Sequence, residues 1–124
     1  MAGELILIIE DNEKNRRLVR DVLQFKGYQT IETETGEEGV ELARSRQPAL
    51  VLMDIQLPGI DGITALRQLR DDPITRAIRV MAVTASAMTQ DRQKILSAGF
   101  DGYQSKPINE KAFLEAVHEL LARP

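Results

Sequence analysis

The sequence predicts an α/β protein in which helices cover both faces of one parallel β-sheet. Apolar runs alternate with amphipathic segments about five times along the 124 residues. This alternation is typical of a doubly wound parallel sheet of five strands flanked by five helices, with right-handed crossovers. The length is that of one ordinary domain. Residues 1–124 are therefore predicted to form a single domain, with no output domain attached.

The first half of the chain supplies three strands and two helices. The continuous apolar run Leu5–Ile9 predicts a strand buried on both faces. A helix is predicted over Asn12–Lys26, with four apolar residues on its inward face: Leu18, Val19, Val22 and Leu23. Tyr28–Thr33 alternates and predicts a strand near an edge, Gly36–Arg46 a weaker helix, and Ala49–Met53 a second buried strand.

The second half opens with the loop Ile55–Gly62, whose proline and glycines disfavour regular structure. Helices are then predicted over Ile63–Arg70 and, more weakly, Thr89–Ala98. Strands are predicted over Val80–Val83 and, as a short strand, Gly102–Ser105. Asn109 is predicted to cap the last helix. The apolar stripe of that helix has six residues: Ala112, Phe113, Ala116, Val117, Leu120 and Leu121.

Composition narrows the class of protein. The formal net charge is −3 and the basic residues are scattered, which predicts no direct binding to nucleic acid. Arg16, Arg17 and Arg20 lie together beside acidic residues and are interpreted as a solvated helix face. There is no cysteine for a disulfide or a thiolate site. No membrane-length apolar run or basic leader is present, so we expect a cytoplasmic protein that does not enter membranes.

Carboxylates follow both predicted buried strands. Glu10 and Asp11 come directly after the first, and Asp54 follows the second. Because carboxyl ends of parallel strands share one edge of the sheet, these side chains should meet there. Clustered carboxylates repel one another unless a cation joins them, and Mg²⁺ prefers oxygen ligands. The sequence therefore predicts a Mg²⁺ site at Glu10, Asp11 and Asp54, with Mn²⁺ as an alternative ion.

The same edge is predicted to handle a phosphoryl group. Asp54 is the candidate nucleophile, because a carboxylate can form an acyl phosphate. Thr84 and Lys106 end two later strand-like runs. Their hydroxyl and ammonium groups would neutralise charge on the moving group. Pro107 follows Lys106, so the bond between them can be cis or trans, and the sequence leaves this open.

Together these residues resemble the receiver domain of response regulators in two-component signalling, over essentially the whole chain. Four segments carry the resemblance: Glu10-Asp11-Asn12, the loop from Met53-Asp54-Ile55-Gln56-Leu57-Pro58 to Gly62, Thr84-Ala85 and Lys106-Pro107. Within that family the combination is most similar to single-domain regulators of the DivK type, or to receivers within hybrid kinases. The resemblance implies a flavodoxin-like fold with strand order 2-1-3-4-5.

The resemblance also implies site roles. Asp54 would receive a phosphoryl group from a histidine kinase or a histidine phosphotransfer protein. The main-chain carbonyl of Gln56 would complete the protein ligands of Mg²⁺. Thr84 and Lys106 would contact the phosphoryl group. Tyr103 occupies the family's switch-aromatic position, so we expect a protein partner to dock on the face that the last two helices and the strand between them form.

One departure from the usual receiver pattern and three alternative functions bear on this interpretation. Many receivers have aspartate where this chain has Glu10, but glutamate still offers a carboxylate. A phosphatase using Asp54 as nucleophile would need a second acid close by, whereas Ile55 and Gln56 come next. A flavodoxin-like cofactor binder would need a phosphate-cradling loop where Glu10 and Asp11 would repel phosphate. An unphosphorylated interaction module would not need the intact site. A signalling phosphoacceptor, rather than an enzyme, is therefore the leading hypothesis.

Overall fold

A computed structural model describes residues 3–85 and 89–123, and over that part of the chain one parallel sheet is covered by helices on both faces. The strands are β1 (Leu5–Ile9), β2 (Gln29–Thr33), β3 (Leu50–Met53), β4 (Arg79–Thr84) and β5 (Gly102–Ser105). The helices are α1 (Glu13–Phe25), α2 (Gly36–Arg46), α3 (Gly62–Asp71), α4 (Thr89–Ser97) and α5 (Glu110–Ala122). The strand order is β2-β1-β3-β4-β5, which confirms the predicted fold class.

The central strands bury both of their faces. In β1, Ile6 and Ile8 point to the side that α1 and α5 cover, whereas Leu7 and Ile9 point to the side of α2, α3 and α4. This explains why β1 reads as a continuous apolar run rather than an alternating one. Phe113 of α5 is among the largest fully buried side chains and anchors the first layer.

The register of the strands brings the predicted site residues to one edge. Ile9 of β1 pairs with Met53 of β3, so Glu10 and Asp54 each follow a paired residue. The Asp54 N–H donates to the Ile9 carbonyl at 3.0 Å, which extends the ladder by one residue. Where β4 and β5 end, the Lys106 N–H donates to the Thr84 carbonyl at 2.8 Å.

Two apolar residues lie outside the faces predicted for them. Leu18 is 48% exposed, whereas Val19, Val22 and Leu23 of α1 are buried. Ala112 of α5 is exposed too. Both residues lie about a quarter turn from the centre of the buried stripe at 3.6 residues per turn, so the sheet does not reach them.

The helix and strand ranges predicted from the sequence are within one residue of the observed ranges at each end. For β4 that one residue has a consequence, because the strand runs to Thr84 and so places that residue inside the ladder. In the part of the chain that the structure describes, no helix combines the length and apolar composition needed to cross a membrane.

Candidate functional site

Three carboxylates converge at the carboxyl edge of the sheet, as predicted. Oxygen atoms of Glu10, Asp11 and Asp54 all lie within 4.8 Å of one another. Glu10 is 5% exposed and Asp54 7% exposed, whereas Asp11 lies at the surface. The cluster therefore has two buried members and one that faces solvent.

Lys106 joins this cluster from the end of β5, at the same edge of the sheet. Its ammonium donates to Asp54 Oδ2 at 2.9 Å and also to Glu10 Oε1. The residue directly follows β5, and the peptide bond to Pro107 is cis, which answers the question that the sequence left open. The structure thus brings together the predicted nucleophile, the predicted cation site and the predicted ammonium.

Burial and charge shift the pKa values of Glu10 and Lys106, which contact each other. Burial raises the pKa of the Glu10 carboxyl above its ordinary value, and the Asp54 charge acts in the same direction. Hydrogen bonds from Lys106 and from the Asn12 N–H oppose that rise without cancelling it. Burial alone would lower the pKa of Lys106, but its bonds to Glu10 and Asp54 and their charges outweigh it, so the pKa is raised. The Lys106 side chain is therefore a cation at neutral pH.

The loop after Asp54 holds that residue through its main chain. The Gln56 N–H donates to Asp54 Oδ1 at 3.2 Å, and the Gly62 N–H donates to the Ile55 carbonyl at 2.8 Å. A Cβ atom on Gly62 would lie 2.5 Å from the Asp54 carbonyl oxygen, so only glycine fits there. The Gln56 carbonyl as a metal ligand stays a prediction.

Asp61, in the same loop, caps a helix, whereas the sequence predicted it only as part of an irregular segment. It is the N-cap of α3, and its Oδ1 accepts the Thr64 N–H at 2.8 Å. The hydrogen bond from that N–H lowers the pKa of the Asp61 carboxyl. An aspartate followed by a helix is the signal that could have identified it.

Thr84 and Tyr103 lie on the same face of neighbouring strands. Thr84 is buried and pairs with Ser105, while Tyr103 pairs with Ala82, so the two residues are diagonal neighbours. The half-buried Tyr103 packs against the core layer of α2, α3 and α4. The Arg92 guanidinium of α4 lies 5.8 Å from the centre of its ring. Tyr103 therefore connects β5 to α4.

The interpretation of Arg16 as part of a solvated helix face is wrong. Its side chain is only 13% exposed, compared with 61% for Arg17. The Arg16 Nη1 donates to the Glu10 carbonyl at 2.9 Å, directly behind the acidic cluster. Helical periodicity gave one signal: Arg16 stands three residues before the buried Val19, on the side of α1 that faces the sheet.

The donor set suits a hard divalent cation. Three carboxylates face one ammonium, so the cluster carries excess negative charge. Oxygen ligands and one solvent-facing side are what Mg²⁺ requires, because it keeps several of its waters. A nucleophilic carboxylate, an ammonium and a cation site together are suited to phosphoryl transfer.

Comparison with known proteins identifies relatives of this chain among response regulators. Residues 6–118 match the family model described as the response regulator receiver domain. The polar-differentiation response regulator DivK of Brucella ovis is 45% identical over 116 residues, which cover 94% of each chain. The DivK protein of Brucella abortus strain 2308 matches to the same extent.

Solved structures include receiver domains of similar shape. One is the receiver domain of a sensor histidine kinase from Pseudomonas aeruginosa PAO1, with a magnesium ion coordinated in its active-site cleft. It is 30% identical, covers 98% of this chain and 100% of its own, and gives a TM-score of 0.91. A CheY-like response regulator receiver domain protein from Methanospirillum hungatei JF-1 is 29% identical, covers 97% and 94%, and gives a TM-score of 0.84.

Proposed function

The chain belongs to the response regulator receiver family, the phosphoacceptors of two-component signalling, and we propose that Asp54 is its phosphoacceptor. The observation that carries this proposal is the Lys106 ammonium bonded to both Asp54 and Glu10. Asp54 is the acid at the carboxyl end of the central strand β3, with a second and a third acid within 4.8 Å. Each group that phosphoryl transfer needs is thus within reach of one carboxylate.

In the proposed reaction, an Asp54 carboxylate oxygen attacks phosphorus and forms an acyl phosphate, while the bond from phosphorus to the donor breaks. For a phosphohistidine donor, the imidazole nitrogen takes the bonding electron pair and then a proton. Lys106 would shift its hydrogen bond from Asp54 to a phosphoryl oxygen, and the Thr84 hydroxyl would donate to another. The phosphoryl group adds about one negative charge, because the carboxylate already carried one.

We propose that Glu10, Asp11, Asp54 and the main-chain carbonyl of Gln56 hold Mg²⁺, as the cleft of the Pseudomonas aeruginosa domain holds magnesium. When bound, the ion would supply further neutralisation of the charge on the phosphoryl group during transfer. Mn²⁺ accepts the same oxygen ligands. Asp11 keeps one side of the site open to solvent, which suits an ion that retains water ligands.

The proposed partners follow from membership of the receiver family. We propose that the donor is a histidine kinase or a histidine phosphotransfer protein and that the exchange takes place in the cytoplasm. A protein target would bind the face formed by α4, β5 and α5, where Thr84 and Tyr103 connect the site to α4. The chain would have no substrate to turn over beyond its own phosphorylation and dephosphorylation. A receiver from within a hybrid kinase would use the same site.

Intact mass after incubation with acetyl phosphate tests the proposal. We expect one phosphoryl adduct that needs Mg²⁺ and is absent from Asp54→Asn. Asp61→Asn is the matched control, because Asp61 is an exposed acid in the same loop and should leave the adduct unchanged. An adduct that forms equally in EDTA, or that persists in Asp54→Asn, would show that Asp54 is not the acceptor. Labelled transfer from a phosphorylated histidine phosphotransfer protein then tests the donor.

A further inference from the structure

Arg16 holds the main chain of an acidic site residue, and we infer that it is a positioning residue for the proposed Mg²⁺ site. Its Nη1 donates to the main-chain carbonyl of Glu10 at 2.9 Å, so it contacts the backbone of this residue and not its carboxylate. The inference rests on the proposed function, since it takes Glu10 and Asp11 to be metal ligands. It concerns the geometry of those ligands rather than the chemistry at Asp54.

The Arg16 side chain is itself anchored. Its Nε lies 3.3 Å from Glu32 Oε1 and its Nη1 lies 3.4 Å from Glu34 Oε1. Glu32 belongs to β2, the strand that pairs with β1, and Glu34 directly follows β2. A guanidinium presents its donors in a fixed plane, so the contacts with Glu32 and Glu34 fix the direction in which Nη1 donates to Glu10. Only 13% of the Arg16 side chain is exposed, which limits the alternatives open to it.

The contact matters because of where the Glu10 carbonyl lies. Glu10 is the first residue after β1, and its N–H still donates to the Thr33 carbonyl of β2 at 3.0 Å. Its carbonyl, in contrast, belongs to the planar peptide unit that joins Glu10 to Asp11. Rotation about the Cα–C bond of Glu10 would turn this unit and move the Asp11 carboxylate relative to that of Glu10. By bonding to the carbonyl, Arg16 fixes the relative orientation of two adjacent ligands.

A purely structural role makes a different prediction. If Arg16 only tied α1 to β2, its loss would change stability and leave cation affinity as it was. Neighbouring Arg17 offers a matched control, because it is 61% exposed and pairs with Glu13 along α1. Replacement of either arginine by alanine removes one positive charge from the same helix.

The test is Mg²⁺ affinity, measured on the isotope-labelled full chain by titration of amide chemical shifts. We expect Arg16→Ala to weaken the affinity about 10-fold, the lower end of the range for groups that orient metal ligands. Arg17→Ala should stay within about 2-fold of the wild type, because it shares only the change in charge. Urea unfolding in EDTA gives the stability of each variant separately. Equal affinities for the two variants, or a loss confined to stability, would overturn the inference.

Arg16→Lys covers the case in which Arg16→Ala does not fold. Lysine keeps the positive charge and a hydrogen-bond donor but lacks the planar guanidinium. We therefore expect the Mg²⁺ affinity of Arg16→Lys to stay below that of the wild type. Full recovery of wild-type affinity would show that charge alone suffices and would also overturn the inference. Failure of the wild type to bind Mg²⁺ at millimolar concentration would overturn the proposed metal site together with this role. An unaffected Arg16→Ala beside a binding wild type would overturn this role alone.

Discussion

Lys106 Nζ lies 2.9 Å from Asp54 Oδ2, so the ammonium is bonded to the proposed phosphoacceptor before any phosphoryl group arrives. It also contacts Glu10, a proposed metal ligand. We therefore expect the same side chain to have two opposed effects. It would neutralise charge that builds up during phosphoryl transfer, and it would compete with a cation for carboxylate oxygens. Removal of Lys106 should separate the two.

Lys106→Ala should slow phosphorylation and strengthen cation binding. We expect the rate with acetyl phosphate to fall about 10²–10³-fold, as for loss of one donor to a developing anion. Mg²⁺ affinity should rise about 30-fold, because repulsion between one ammonium charge and a divalent ion at about 4 Å costs roughly 2 kcal/mol in a water-like dielectric. Rates come from intact mass over time, and affinity from amide-shift titration.

Lys111→Ala is the control for this charge change, because Lys111 is an exposed lysine of α5. It should leave both quantities near the wild-type values. If Lys106→Ala lost both rate and affinity, Lys106 would be supporting the geometry of the carboxylates rather than competing for them.

Gly62→Ala should disturb Asp54 through the main chain. The added Cβ would lie 2.5 Å from the Asp54 carbonyl oxygen and 2.8 Å from the Ile55 Cα, and backbone atoms cannot move aside cheaply. We expect the free energy of unfolding to fall by about 1–3 kcal/mol, the usual cost of forcing extra volume into a packed site. Urea unfolding measures it. Gln68→Ala, at an exposed position of the same helix, should change it by less than about 0.5 kcal/mol.

Asp61 should stabilise α3 in a pH-dependent way. Asp61→Ala is expected to cost about 1 kcal/mol at neutral pH, the usual value for loss of an N-cap. Asp61→Asn keeps the acceptor but loses the charge, worth about 0.3–1 kcal/mol at a helix N-terminus. The folded-state pKa of Asp61 is lowered, so the charge contribution is present above the unfolded pKa of about 4 and is lost as pH falls through the folded value.

Urea unfolding of the wild type and Asp61→Asn across this range measures that contribution. The difference between their unfolding free energies should shrink toward zero well below about pH 4, since other carboxyl groups titrate in both proteins. A difference that stayed constant with pH would mean that the charge of Asp61 does not interact with the helix.

The acidic cluster was predictable because its position depends on chain topology alone. Glu10 and Asp54 follow continuous apolar runs, and parallel strands that alternate with helices must place both residues at one edge. Arg16 was not predictable in this way. Its role depends on β2 lying beside β1, which brings Glu32 within reach, and helical periodicity cannot distinguish a charged residue at the sheet edge from a solvated one.

Finer features depend on side-chain geometry. The sequence predicts that Lys106 lies at the carboxyl edge of the sheet. It does not predict that the ammonium contacts both Glu10 and Asp54, because that depends on the position of the side chain. Leu18 shows the limit of counting apolar positions, because an apolar residue at the border of a helix stripe is buried only where the sheet extends beneath it.

Thr84 should carry the effect of phosphorylation to α4 through Tyr103. The two residues are diagonal neighbours on one face of the sheet, and the Tyr103 ring lies beneath the Arg92 guanidinium of α4. A Thr84 hydroxyl that moves to a phosphoryl oxygen would leave space toward which Tyr103 turns, and the contact with Arg92 would break.

Amide shifts with and without beryllofluoride, which stands in for the phosphoryl group, test this connection. In the wild type we expect shifts at Asp54, Tyr103 and Arg92, with a coupling of about 1–3 kcal/mol. Thr84→Ala should keep the shifts near Asp54 and lose those at Tyr103 and Arg92, whereas Thr84→Ser retains the hydroxyl and should keep all of them. Undiminished shifts at Arg92 in Thr84→Ala would mean that phosphorylation affects α4 without Thr84.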